Sequence, residues 1–78
     1  LIYQIANMTE KQIGTYYQNL NSGEKGRFTA YLSLNLGGSP HSWQQKMLLW
    51  AGDTPHRPVI RIILMEITQI ITSSKWKD

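Results

Sequence analysis

With 78 residues and no cysteine, the chain is one domain at most and can hold no disulfide, thiolate nucleophile or Cys-type zinc site. Eight Lys and Arg against five Asp and Glu give a net charge of +3 and a pI near 9.5, a mild basicity that suits a polyanionic partner without requiring one. Apolar residues at 41 % and charged ones at 17 % argue against disorder. No apolar run approaches the ~20 residues of a membrane span. The absence of cysteine makes a reducing, cytoplasmic setting the natural expectation. A domain of this size hides only ~60 % of the surface its unfolded chain exposes, so oligomerisation is an expected source of extra stability.

The first residues, Leu1 to Ile5, are apolar but too few for a signal peptide, and no basic segment precedes them. They read as an N-terminal arm or as a backward extension of the first helix. Met8 is an alternative start, which would make Leu1–Asn7 upstream sequence. The first helix is expected to begin near Thr9, which with Gln12 has the capping-box spacing. Ile13, Tyr16, Tyr17 and Leu20 follow at helical intervals, with one tyrosine expected in the core and one at its rim. Gly14 inside this helix costs about 1 kcal/mol relative to Ala.

Asn21-Ser22-Gly23 breaks the chain and offers a cap for a second helix, with Glu24 placed three after Asn21 to favour the helix dipole. This helix carries Phe28, Tyr31, Leu32, Leu34 and Leu36 and stops at Gly37-Gly38. Ser39-Pro40 opens the third helix, a strong cap followed by a proline where no N–H is needed. Trp43, Met47 and Trp50 form its apolar stripe, widened by Leu48 and Leu49, until Gly52 ends it. Asp53-Thr54-Pro55 reads as a loop. Pro58 is expected to open a fourth helix over about 58–72, with Val59, Ile62, Ile63, Ile67, Ile70 and Ile71 as its stripe. The β-branched richness of that segment leaves a strand as the alternative, against which its length and its lack of two-residue alternation weigh. The tail from Ser73 to Asp78 is polar and expected to fray, with Trp76 either free for a partner or folded back.

The resulting fold class is all-α: a small bundle of four helices containing a helix-turn-helix over about 24–51, with a support or dimerisation helix over about 58–72. A helix-turn-helix needs a sharp stop, a small residue near the crossing, flanking apolar residues, and then a cap and an inward knob. Gly37, Ser33, the pair Leu32 and Leu36, Ser39 and Trp43 meet these needs in order.

The segment Leu36-Gly37-Gly38-Ser39-Pro40-His41-Ser42-Trp43-Gln44-Gln45 resembles the recognition segment of the phage-repressor class of helix-turn-helix domains, and Glu24–Leu36 resembles the helix before it. The resemblance covers about a third of the chain. It departs from the family pattern at Gly38 and Lys46, where that family favours apolar residues; Met47 must then supply the missing packing. The resemblance implies sequence-specific binding of double-stranded DNA as a homodimer, by a small transcriptional regulator of bacterial or phage type. It places base contacts on His41, Gln44 and Gln45, with Leu48 beside them. Gln suits adenine, whose N6 and N7 it can bond in a bidentate way. Ser39, Ser42 and the N–H groups at the helix start would hold a phosphate, and Lys46, Lys25, Arg27, Arg57 and Arg61 would clamp the backbone. The dimer surface would be the stripe Val59–Ile71 or the arm Leu1–Ile5.

Each of these residues also has a plainer reading. Gln44, Gln45 and Lys46 are good helix formers on a solvated face, and Trp43 and Trp50 are more often core than stacking platforms. Arg57 and Arg61, four apart, would repel on one helix face, a cost that hints at an anion. His41 and His56 have no second ligand at metal spacing, so no metal or other cofactor is expected. Glu10, Glu24, Asp53, Glu66 and Asp78 are scattered and show no catalytic arrangement, so the chain is not expected to be an enzyme. The alternative function is a helical protein–protein interaction or dimerisation module, anchored on Trp50, Leu48 or Trp76. Small-molecule binding has no dedicated polar cluster to recommend it.

Overall fold

The computed structural model describes residues 7–52 and 57–77. The readings of Leu1–Ile5 as an arm and of Asp53-Thr54-Pro55 as a loop fall outside that range. Four α-helices follow in order, α1 (Glu10–Gln18), α2 (Ser22–Leu36), α3 (Pro40–Ala51) and α4 (Arg61–Ser73), and a 3-10 turn, Lys75–Lys77, closes the described chain. No strand occurs among the described residues, and no helix there is long and apolar enough to cross a membrane.

Local chemistry sets three of the four helix starts. Thr9 accepts from the Gln12 backbone at 3.2 Å while the Gln12 side chain accepts from the Thr9 N–H at 2.9 Å. Asn21 and Glu24 make the same reciprocal pair at 2.8 and 3.2 Å. Ser39 accepts from the Ser42 N–H at 3.1 Å, with Pro40 in the first turn. Each such cap is worth about 1 kcal/mol. The fourth start differs from the expectation. Pro58, Val59 and Ile60 are not helical, and Ile60 is an extended cap without a side-chain bond, so α4 begins at Arg61. Extended backbone is comfortable for the β-branched Val59 and Ile60, and nothing there can cap an earlier start. Arg57 and Arg61 therefore do not share a helix face, and the argument from their repulsion lapses.

The core is Ile13 and Tyr17 from α1, Phe28 and Leu32 from α2, Trp43, Met47 and Trp50 from α3, Ile67 from α4, and Trp76. Tyr16 lies at the rim, half-buried, as expected of one tyrosine of the pair. Burial pushes the Tyr17 phenol up from its ordinary pKa, since the ionised form would lose hydration.

α3 is the central element, packed mainly on α1 and then on α2. Gly14 explains how closely α1 and α3 approach. A Cβ built at Gly14 would stand 2.4 Å from the Ala51 nitrogen and 2.8 Å from the Met47 carbonyl oxygen. These are backbone atoms, so no side chain can move aside. The glycine that costs helix propensity in the sequence is what lets the two backbones touch.

Through Lys77, the last described residue, the tail does not fray. Ser74 takes a left-handed conformation (φ 56) that ends α4 and turns the chain back. Trp76 is then buried against Phe28, edge to face with centroids 5.1 Å apart, and against Tyr16 at 6.3 Å. Arg27 of α2 locks the turn by donating to the Lys77 carbonyl at 3.0 Å. Burying a tryptophan outweighs the ~1–2 kcal/mol of a left-handed serine. The Trp76 indole N–H finds no acceptor, the one such buried side-chain atom among the described residues.

α4 also departs from its expected stripe. Ile67 is buried and Val59, Ile63, Ile70 and Ile71 pack half-buried on the core, but Ile62 is 64 % exposed. Thr68 ties the helix to the residues before α1, accepting from the Met8 N–H at 2.9 Å and donating to the Leu64 carbonyl at 2.7 Å.

Candidate nucleic-acid interface

The α2–α3 connection is three residues long, Gly37, Gly38 and Ser39. Both glycines have positive φ, 88° and 84°. At Gly37 ψ is 176°, a region essentially reserved for glycine. The Gly37 N–H donates to the Ser33 carbonyl at 3.0 Å, closing the last turn of α2. The Trp43 indole N–H then donates to the Gly37 carbonyl at 2.8 Å, a link from the inward knob of α3 back to the turn. At Gly38 the constraint is the backbone: its positive φ suits few side chains, while a Cβ there would lie at ordinary contact distance, 3.5 Å, from the Trp43 indole nitrogen.

With the turn fixed, α3 has two unlike faces. Trp43, Met47 and Trp50 are buried, with the two indoles packed edge to face at 6.5 Å. Met47 is fully buried. His41, Gln44, Gln45 and Leu48 are exposed on the other side, while Lys46 and Leu49 are exposed at the groove beside Trp43 and Trp50. The His41 and Gln45 Nε2 atoms stand 3.5 Å apart, one helical turn of separation and a contact that a ligand could readily replace. Lys46 folds over Trp43, its Nζ 4.5 Å from the ring centroid. This cation–π contact holds the ammonium beside the turn.

The expected phosphate contacts fall at four places. Ser39 and Ser42 lie at the start of α3, Ser39 exposed and Ser42 half-buried. The Ser39 oxygen and the Ser42 and Trp43 N–H groups already bond within the chain, so the helix start is only partly open to an anion. Lys46 and Arg57 line one groove between the turn, α3 and the segment leading to α4. Lys25 and Arg27 stand at the other end of α2. Lys25 lies 5.5 Å from the Tyr17 ring centroid, and Arg27 is engaged with Lys77. Arg27 precedes Gly37 by ten residues, ~15 Å along the helix. Arg61 is exposed at the first turn of α4.

The groove was not anticipated from the sequence. It has a volume of about 480 Å³; Trp43, Trp50, Leu49 and Ile63 supply apolar wall, and Lys46 and Arg57 supply charge. The one sequence signal that could have found it is the run of Pro58, Val59 and Ile60, which separates α3 from α4 by an extended segment. A second, polar depression of about 300 Å³ between α2 and α4 is lined by Glu66 and Lys75 among others. No group of three or more His, Asp or Glu that could hold a metal occurs among the described residues.

Neither a family model, nor a curated protein, nor a solved structure matches this chain.

Proposed function

We propose that this chain is a DNA-binding protein of helix-turn-helix type, resembling the phage-repressor class, which reads the major groove with the exposed face of α3. The observation that carries the reading is the division of α3 behind a three-residue glycine turn. Its inner side chains are consumed in the core, while His41, Gln44 and Gln45 stand together in solvent and Lys46 lies at their edge. Amide and imidazole groups at a helix start match the donor and acceptor edges of base pairs. Lys46 and Arg57 would be phosphate contacts on the groove side of α3, and Ser42 and Ser39 orient the helix start. Lys25 contributes to the positive field at longer range, and Arg27 chiefly pins the C-terminal turn. Such a regulator would act in the cytoplasm as a homodimer, since one short helix buries little surface and a second half-site adds affinity and specificity.

The second reading, a protein–protein interaction module, is favoured by a different observation. Leu48, Leu49, Ile60, Ile62 and Met65 are all exposed along α3 and the start of α4. Its expected anchors narrow, because Trp50 and Trp76 are buried and only Leu48 remains in solvent.

A titration of fluorescent random-sequence duplex DNA at two salt concentrations separates the readings. Electrostatic DNA binding weakens steeply as salt rises, and Lys46→Ala flattens the logarithmic salt slope by about 1. An absence of binding at low salt would remove the DNA reading and leave the apolar surface as the functional one.

A further inference from the structure

We infer that Leu48 reads the 5-methyl group of a thymine in the major groove, beside the base pairs that Gln44 and Gln45 contact; this rests on the DNA reading above. His41, Gln44, Gln45 and Leu48 follow at helical intervals and line one face of α3. All four are exposed, Leu48 at 47 %. A single apolar side chain on a surface is ordinary. Leu48 is set apart by its company, since it closes a row whose other members are polar. Leu34 stands on α2, Ile62 and Met65 stand on α4, and Leu49 lies at the groove beside Trp50.

The chemistry of the base edges narrows what Leu48 can meet. In the major groove the four bases present hydrogen-bond donors, acceptors and one apolar group, the thymine methyl. The leucine side chain has neither donor nor acceptor. Pressed against guanine, adenine or cytosine, it would strip water from a polar edge and return no bond, which disfavours those bases. Against thymine it covers a methyl group instead. The spacing agrees. From His41 to Leu48 the helix rises ~10 Å, the length of about three base pairs at ~3.4 Å each. Leu48 lies ~4.5 Å beyond Gln45, a little more than one base-pair step. Leu48 is also the exposed anchor of the protein-partner reading, and the two roles predict different results.

The probe is the duplex that the parent protein enriches from a random pool, resynthesised with deoxyuridine in place of each thymine in turn. Uracil keeps the hydrogen-bonding groups of thymine and lacks only the methyl. One replacement, next to the positions that Gln44→Ala and Gln45→Ala affect, should weaken binding about fourfold, as expected for uncovering one methyl-sized group. Leu48→Ala should bind the thymine and deoxyuridine duplexes equally. Leu48→Met, still apolar, should keep a preference for thymine, and Leu34→Ala should keep all of it. Each preference is a ratio measured on one protein, so any loss of folded fraction cancels. Equal binding of thymine and deoxyuridine duplexes by the parent, at every position, would overturn the inference and leave the DNA reading standing. A thymine preference that survives Leu48→Ala would overturn it as well, because another group would then read the methyl. Enrichment of no duplex at all would remove the DNA reading and this inference together, and leave Leu48 to a protein partner.

Discussion

The inner and outer faces of α3 differ in what fixes their residues. On the inner face, every side chain answers to a neighbour. Met47 and Trp50 fill the core, Trp43 holds the turn, and the backbone at Met47 and Ala51 leaves room only for glycine on α1. On the outer face, His41, Gln44 and Gln45 have no packing role, and their one mutual contact is a long one at 3.5 Å. Folding explains the first set and is indifferent to the second. A surface whose identity the fold does not require is where a function can be written, and the same helix carries both.

That contrast can be broken by substitution, with effects that should fall steadily from one face to the other. Trp43→Ala should have the largest, about 3–5 kcal/mol, by opening a cavity and freeing the turn. That approaches the whole stability of a small domain, so a loss of cooperative unfolding in calorimetry is the expected result. Gly14→Ala comes next. Helix propensity favours it by about 1 kcal/mol, but the added methyl collides with backbone, and overpacking of this kind costs about 1–3 kcal/mol or more. The collision should win, lowering the melting temperature by roughly 10 °C. An unchanged or raised melting point would show that α1 and α3 are not in close contact.

Gly37→Ala should cost about 1–3 kcal/mol, because the turn conformation is nearly exclusive to glycine although space around it is open. Denaturant titration would register this as a lower midpoint at constant slope. The smallest effect belongs to the outer face. Gln44→Ala with Gln45→Ala should leave stability within about 0.5 kcal/mol of the parent. A large loss there would mean that these side chains are structural after all.

Legibility followed the range of the interactions. Thr9, Asn21 and Ser39 were readable as caps because a cap is settled within three residues of chain. The glycine turn was readable for the same reason. Gly14 was not: in sequence it is a weak residue in a helix, and its role appears only when Ala51, thirty-seven positions later, lies against it. Trp76 sat in a polar tail whose composition suggested fraying, and its burial depends on Phe28 and Tyr16 in other helices. Ile62 fits the helical stripe by spacing yet faces solvent, because the core it would join ends at Ile63 and Ile67. The candidate base contacts were legible by a different route. They are the polar positions left over once the apolar stripe of α3 is assigned, and their exposure follows from that geometry. The groove beside Lys46 was hidden because it joins the turn to a segment about twenty residues further along the chain.

The central claim is that the exposed face of α3 reads DNA sequence, and selection from a random duplex pool tests it most directly. The parent protein should enrich a defined motif. The variant carrying Gln44→Ala and Gln45→Ala, with its melting temperature unchanged, should retain general affinity and lose that enrichment. Enrichment of the same motif by both proteins would contradict the account and place sequence recognition elsewhere on the molecule.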